Sequence, residues 1–152
     1  MADEEQDAVA VEETEKRADL FEIFGTNKKA ELKGVWVEFL PGVSFLIARD
    51  GTPTYKKAIR DRYRPYEMFL RERTGLPPSV EPKVVTAVIL DALLLDWKGV
   101  IYKGAEVPFS RETAQPILEE LTDLRDWIQE QAGNRQNFKR EFDQQVGKPS
   151  GG

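Results

Sequence analysis

Apolar and polar positions along the chain change period several times, and each change marks an element. Val35-Trp36-Val37-Glu38-Phe39 alternates with period two, and so does Val43-Ser44-Phe45-Leu46-Ile47-Ala48, with Leu40-Pro41-Gly42 between them. The alternation gives Val35, Val37 and Phe39 one face, and Val43, Phe45 and Ile47 another. Gly42 can take the positive φ of a turn, so the pattern predicts a β-hairpin. A hairpin alone is marginal in water and must pack on helices or add to another sheet.

The remaining pattern is largely helical. Thr52-Pro53 reads as an N-cap followed by proline at the first helical position. Tyr55, Ala58, Ile59, Tyr63, Tyr66, Phe69 and Leu70 then recur at helical spacing, with Pro65 expected to kink or split the helix near Arg64. Ser79 or Val80 starts the next helix. Its apolar positions, from Val84 and Val85 to Leu95, cover more than one face and predict the central core helix, capped by Trp97 and stopped by Gly99. Asp96 is expected to organise the corner at Trp97. Residues 100–102 and 106–107 are placed to pair across Lys103-Gly104.

Ser110 is an N-cap for a helix with an apolar stripe at Ile117, Leu121, Leu124 and Ile128. Pro116 predicts either an irregular first turn or a start near Gln115. Gly133-Asn134 ends that helix, and Asn134 caps a last one carrying Phe138 and Phe142. Near the other end, Leu20, Phe21, Ile23 and Phe24 suggest a short amphipathic turn or helix. The apolar terminal groups either clamp the ends onto the core or form a surface for a partner helix.

The expected fold is α+β and predominantly helical, with an N-terminal β-hairpin packed on a bundle of about four helices. Residues 1–18 are expected to be a disordered acidic tail, residues 19–145 a single globular domain, and residues 146–152 a flexible end.

Charge modifies this picture. The net charge is −5, but Asp3, Glu4, Glu5, Asp7, Glu12, Glu13, Glu15, Asp19 and Glu22 are opposed only by Lys16 and Arg17 at the start of the chain. Those nine acids and two bases give −7, leaving +2 for the rest. Neither cysteine nor histidine occurs, which removes disulfides, thiolate ligands, cysteine nucleophiles and the usual neutral-pH base. A non-enzymatic protein without a cofactor or metal is expected. The longest apolar run, residues 84–95, falls short of the ~20 residues of a membrane span, and the start has no secretory pattern.

Two patterns suggest partner binding. Between residues 49 and 73, eight cations (Arg49, Lys56, Lys57, Arg60, Arg62, Arg64, Arg71 and Arg73) face four acids, with Tyr55, Tyr63 and Tyr66 interleaved. This stripe suits an acidic protein surface, a nucleic acid, or simply an exposed face whose tyrosines turn inward. The sequence pI of about 5.0 argues against strong nucleic-acid binding. The outer face of the hairpin contributes Trp36. Trp36, Tyr55, Lys56 and Arg60 are therefore the candidate contact residues.

The chain also resembles the tail assembly chaperones of long-tailed bacteriophages. The likeness runs from about Phe24 to Phe138. It rests on Thr26-Asn27-Lys28-Lys29-Ala30-Glu31 leading into Gly34-Val35-Trp36-Val37, on Phe45-Leu46-Ile47-Ala48-Arg49, and on Pro53-Thr54-Tyr55. Further along it rests on Leu94-Leu95-Asp96-Trp97-Lys98-Gly99-Val100, Pro108-Phe109-Ser110 and Asn137-Phe138. The resemblance implies a protein of the host cytoplasm, absent from the mature virion, that keeps the tape measure protein soluble and helps recruit tail tube subunits. It also raises self-association, and a frameshifted longer form for which Gly147-Lys148 is a natural place. The long acidic start and Pro116 depart from that family's pattern. A small phage or prophage accessory protein binding nucleic acid through residues 49–73 is the alternative.

Overall fold

Gly42, at φ 85°, turns the chain between β1 (Val35–Leu40) and β2 (Val43–Ile47), as the alternation predicts. In this computed structural model the described residues are Arg17 and residues 19–139. The acidic stretch before Arg17, Phe142 and residues 146–152 lie outside them. The first elements are two short helices, α1 (Leu20–Phe24) and α2 (Lys28–Lys33). After the hairpin come α3 (Pro53–Tyr63), α4 (Glu67–Arg71) and α5 (Glu81–Val88). A third strand, β3 (Leu94–Lys98), leads to a small ladder of β4 (Ile101–Tyr102) with β5 (Ala105–Glu106). Finally α6 (Arg111–Glu120) and α7 (Thr122–Gly133) close the fold. The architecture is α+β and mostly helical.

The hairpin acquires its missing partner from an unexpected place. Residues 84–95 are not one helix: α5 ends at Val88, Ile89–Leu93 makes a π turn, and Leu94 enters β3. Trp97 is consequently a strand residue, not a helix cap. A continuous apolar run cannot by its period distinguish buried helix from buried strand. Here β2 decides: with β1 on one side, its other edge needs a ladder, and β3 pairs with it antiparallel in the order β1-β2-β3. Val37 lies opposite Phe45 and Phe45 opposite Trp97, so all three share the face turned to the core. A register shift between Leu46 and Ile47 brings Leu94 opposite Ile47, and both Leu94 and Trp97 join the main cluster. Asp96 does organise the corner, its Oδ1 accepting from the Trp97 N–H at 2.8 Å.

That cluster joins Phe45, Ile47, Ile89, Leu93, Leu94, Trp97, Ile117, Leu118 and Ile128. Each large aliphatic side chain fully withdrawn from water contributes ~1.5–3 kcal/mol. Trp97 sets the orientation of this layer. Its ring meets Phe45 and Phe109 edge-on, at 6.2 and 5.1 Å, and its indole N–H donates to the Val107 carbonyl at 2.8 Å.

Proline acts as expected at one position and not at another. Pro65 splits its helix: α3 stops at Tyr63 and a 3-10 turn, Arg64–Tyr66, precedes α4. Pro116, by contrast, sits inside an uninterrupted α6 that begins at Arg111, behind a Ser110–Thr113 capping box. Pro116 is on the exposed side, where the carbonyl it leaves unbonded can meet water. The break falls instead at Leu121, with φ −101° and ψ 88°, so the expected single helix is two. Buried Arg125 makes that break tolerable. Its guanidinium donates to the carbonyls of Leu118 (2.5 Å) and Glu119 (2.8 Å) and to the Thr122 hydroxyl (3.1 Å). Two of the carbonyls left over at the end of α6 are thereby satisfied.

The ends are clamped by Phe138. It is fully buried with Ala30 and Val35, its carbonyl accepts from the Asn27 N–H at 2.6 Å, and the Arg49 guanidinium lies 5.4 Å from its ring. Asn134 caps the short 3-10 turn that carries it. Leu20, Phe21 and Phe24 stay largely exposed; α1 is held to the same end of the chain by Arg135, 4.8 Å from the Phe24 ring, and by Lys139, which donates to the Glu22 carbonyl at 3.0 Å, so the buried apolar part of the clamp is Phe138.

Candidate partner-binding site

The clearest candidate for a recognition surface is an apolar groove at the tip of the hairpin. Phe39, Leu40, Val43 and Phe45 form one wall, residues 99–102 another, and Ile117, Leu121 and Leu124 the floor, around a space of about 290 Å³. Three elements must meet for this to exist. Gly99, at φ 72°, lets the chain leave β3 directly against the hairpin turn, where any Cβ would overlap the Gly42 carbonyl. The break at Leu121 turns the α6–α7 corner into the groove. Leu40, opposite Val43 after a register shift, is carried off the regular alternation and outward.

Several of these apolar groups remain in water. Phe39 is 51% exposed, Leu40 56% and Ile101 70%, although Phe39 also rests edge-on against Trp127 at 5.2 Å. Contiguous exposed apolar groups of this kind mark interaction sites. One rim is polar: the Tyr102 hydroxyl hydrogen-bonds the Glu120 carboxylate, which also pairs with Lys103 Nζ at 3.4 Å.

A second surface, of opposite character, is an open cleft of about 520 Å³ between α3 and the start of α6, with Thr54, Lys57, Asp61, Arg62, Asp91 and Arg111 among its walls. Asp91 comes from the π turn. Arg62 grips its two oxygens at 2.7 and 3.0 Å, and Arg111 adds a contact at 2.9 Å. Partial burial pushes the Asp91 carboxyl up, but the hydrogen bonds and charges of the two arginines outweigh that and hold it below its ordinary value. Asp61 is likewise held low, first by its hydrogen bond from Lys57 at 2.6 Å and then by the charges of Lys57, Arg60 and Arg64.

The four residues expected to make contacts are not one surface. Trp36 lies on the sheet face opposite Val37, with Lys98 Nζ 3.9 Å from its ring centroid. Tyr55 turns inward from α3 onto the core cluster, and burial raises its hydroxyl pKa, with the charge of Asp50 adding to the effect. Lys56 and Arg60 are exposed one helical turn apart on α3. Sequence reasoning passed over Phe39, Leu40, Ile101 and Leu121. A faint signal existed: Leu40 departs from alternation beside Pro41-Gly42, and Ile101 is apolar in a two-residue strand.

Among the described residues no helix is long and apolar enough to cross a membrane, and no group of three or more acidic side chains is placed to hold a metal. Residues 50–148, more than half of the chain, match the family model described as YdaY prophage protein. The molecule is thus a phage or prophage protein. Within that class, the chain belongs to the YdaY prophage protein family. No curated protein and no solved structure matches it.

Proposed function

We propose that the protein is a non-enzymatic tail assembly chaperone. It binds an apolar helical segment of a tape measure protein in the host cytoplasm, keeps that segment soluble, helps recruit tail tube subunits, and is left out of the virion. The observation that carries this reading is the apolar groove with Phe39, Leu40 and Ile101 exposed on its walls. A helix laid in such a groove contributes anchors one turn apart. Membership of a prophage family supports the phage setting, and the resemblance along residues 24–138 supplies the partner.

The test is co-purification of a co-expressed tape measure protein. Leu40→Glu combined with Ile101→Glu puts two charges into the apolar contact. It is expected to weaken capture on the order of tenfold or more, while stability changes by only ~0.5 kcal/mol, as exposed substitutions do. Trp36→Ala with Lys56→Glu is the companion variant. If capture survives the first variant and fails in the second, the partner rests on the outer sheet face and α3 instead of the groove. Capture surviving both would remove the proposal.

A further inference from the structure

The apolar groove is edged with carboxylates. Its lining residues sit in three stretches, 38–45, 98–107 and 117–126. These hold six acids, Glu38, Glu106, Glu119, Glu120, Asp123 and Asp126, against the three cations Lys98, Lys103 and Arg125, a balance of −3. Each of the cations is already engaged. Lys98 lies over the Trp36 ring at 3.9 Å, on the other face of the sheet. Lys103 pairs with Glu120 at 3.4 Å. Buried Arg125 is occupied by the carbonyls of Leu118 and Glu119.

Three of the six acids stand directly beside the apolar contacts. Glu106 is opposite Ile101 in the β4–β5 ladder, and residues opposite one another in an antiparallel pair turn their side chains to the same face. Glu120 immediately precedes Leu121 and is fixed at the rim by the hydroxyl of Tyr102, itself a lining residue, and by Lys103. Asp123 falls between Leu121 and Leu124, in the first turn of α7. Glu106 and Asp123 are both exposed to water.

A helix seated in the groove brings its flanks to this rim. The apolar walls by themselves accept any helix with anchors one turn apart. Rim charge selects among such helices, because opposite charges steer encounter and like charges set side by side cost affinity. Lysine and arginine suit the rim in a second way: their apolar stems can lie along the groove wall while the charged heads reach outward. We infer that the groove takes a cationic amphipathic helix, one whose apolar anchors are flanked by Lys or Arg placed to meet Glu106, Glu120 and Asp123. Helices with acidic flanks are turned away. The inference rests on the groove's being a helix-binding site, as proposed above, and adds the chemistry of the segment it accepts.

Two synthetic helices of about 18 residues, with the same leucines at one-turn spacing, make the test. One is flanked by lysines and the other by glutamates, and fluorescence anisotropy reads the binding of each to the full-length protein. At about 0.1 M salt the lysine helix is expected to bind about tenfold more tightly, the product of a few exposed charge pairs. At about 1 M salt, with a Debye length of ~3 Å, the preference should largely vanish. It should vanish at the lower salt too in Glu106→Gln/Glu120→Gln/Asp123→Asn. Equal binding of the two helices at the lower salt, or a preference that survives in the triple variant, overturns the inference. The carboxylates of residues 1–16 are unchanged in that variant, so attraction to them would leave the preference in place and count against the rim. Leu40→Gln with Ile101→Gln, which keeps every charge, tells this failure from that of the groove. Two helices that bind equally and are both lost in this variant leave the groove standing without charge selection. Two helices that fail to bind the wild type, or persist in this variant, remove the groove and the inference with it.

Discussion

The groove and the cleft lie at opposite ends of α6: Arg111 lines the cleft, whereas Ile117 and Leu121 line the groove. They differ in how they are made. The cleft depends mostly on side chains, charges on α3 meeting Asp91 and Arg111, and removing one of them changes its field without moving the backbone. The groove depends on backbone geometry, namely the Gly99 turn, the break at Leu121 and the bulged end of β1. Recognition built on backbone should fail together with stability, while recognition built on charge should fail separately from it.

The largest test of that contrast is Gly99→Ala. The positive φ disfavours any side chain, and the added Cβ collides with the Gly42 carbonyl, a backbone atom that cannot simply rotate away. A loss of ~3 kcal/mol is expected in urea unfolding, within the range that strained or overpacked sites give. A loss under ~1 kcal/mol would mean that the hairpin tip can separate from β4, and that the groove is not rigidly built.

Arg125→Met should cost somewhat less, ~2–3 kcal/mol. It removes three hydrogen bonds and leaves the carbonyls of Leu118 and Glu119 without their donor. The methionine keeps most of the apolar stem, so the loss reports the polar contacts and not a cavity. If the variant is as stable as the wild type, the α6–α7 corner is held by packing of Leu118 and Ile128 alone. Arg125 would then have no part in shaping the groove.

The same division explains what could be read from residues alone. Thr52-Pro53, Pro65, Ser110 and Pro41-Gly42 act within a few positions of themselves, and the caps, the split and the turn appear where local chemistry puts them. The cations of α3 were legible for the same reason. The switch from helix to strand at Leu94 was not, because it depends on the free edge of β2 more than forty positions earlier. The break at Leu121 depends on a guanidinium four residues ahead that looks, in sequence, like an ordinary surface charge. Groove residues were missed because those two long-range decisions create the groove. Trp36 and Tyr55 look alike as isolated aromatics, but register places Trp36 on the outer sheet face and helical phase turns Tyr55 inward.

The smallest effect expected is on the cleft, and its value lies in its pH dependence. Asp91 is mostly shielded, with 23% of its side chain exposed, and two arginines share it. Asp91→Asn should cost ~1–2 kcal/mol at neutral pH, between the values for exposed and buried pairs. Because the folded carboxyl is held below its ordinary value, its contribution is fully present above the unfolded pKa of ~3.9 and disappears as pH falls through the folded one. Urea midpoints of wild type and variant should therefore differ by a constant amount above about pH 5 and converge in acid. A gap that stayed the same down to the lowest pH would show that Asp91 acts through shape or neutral hydrogen bonding. The cleft would then be less a matter of charge than its contrast with the groove requires.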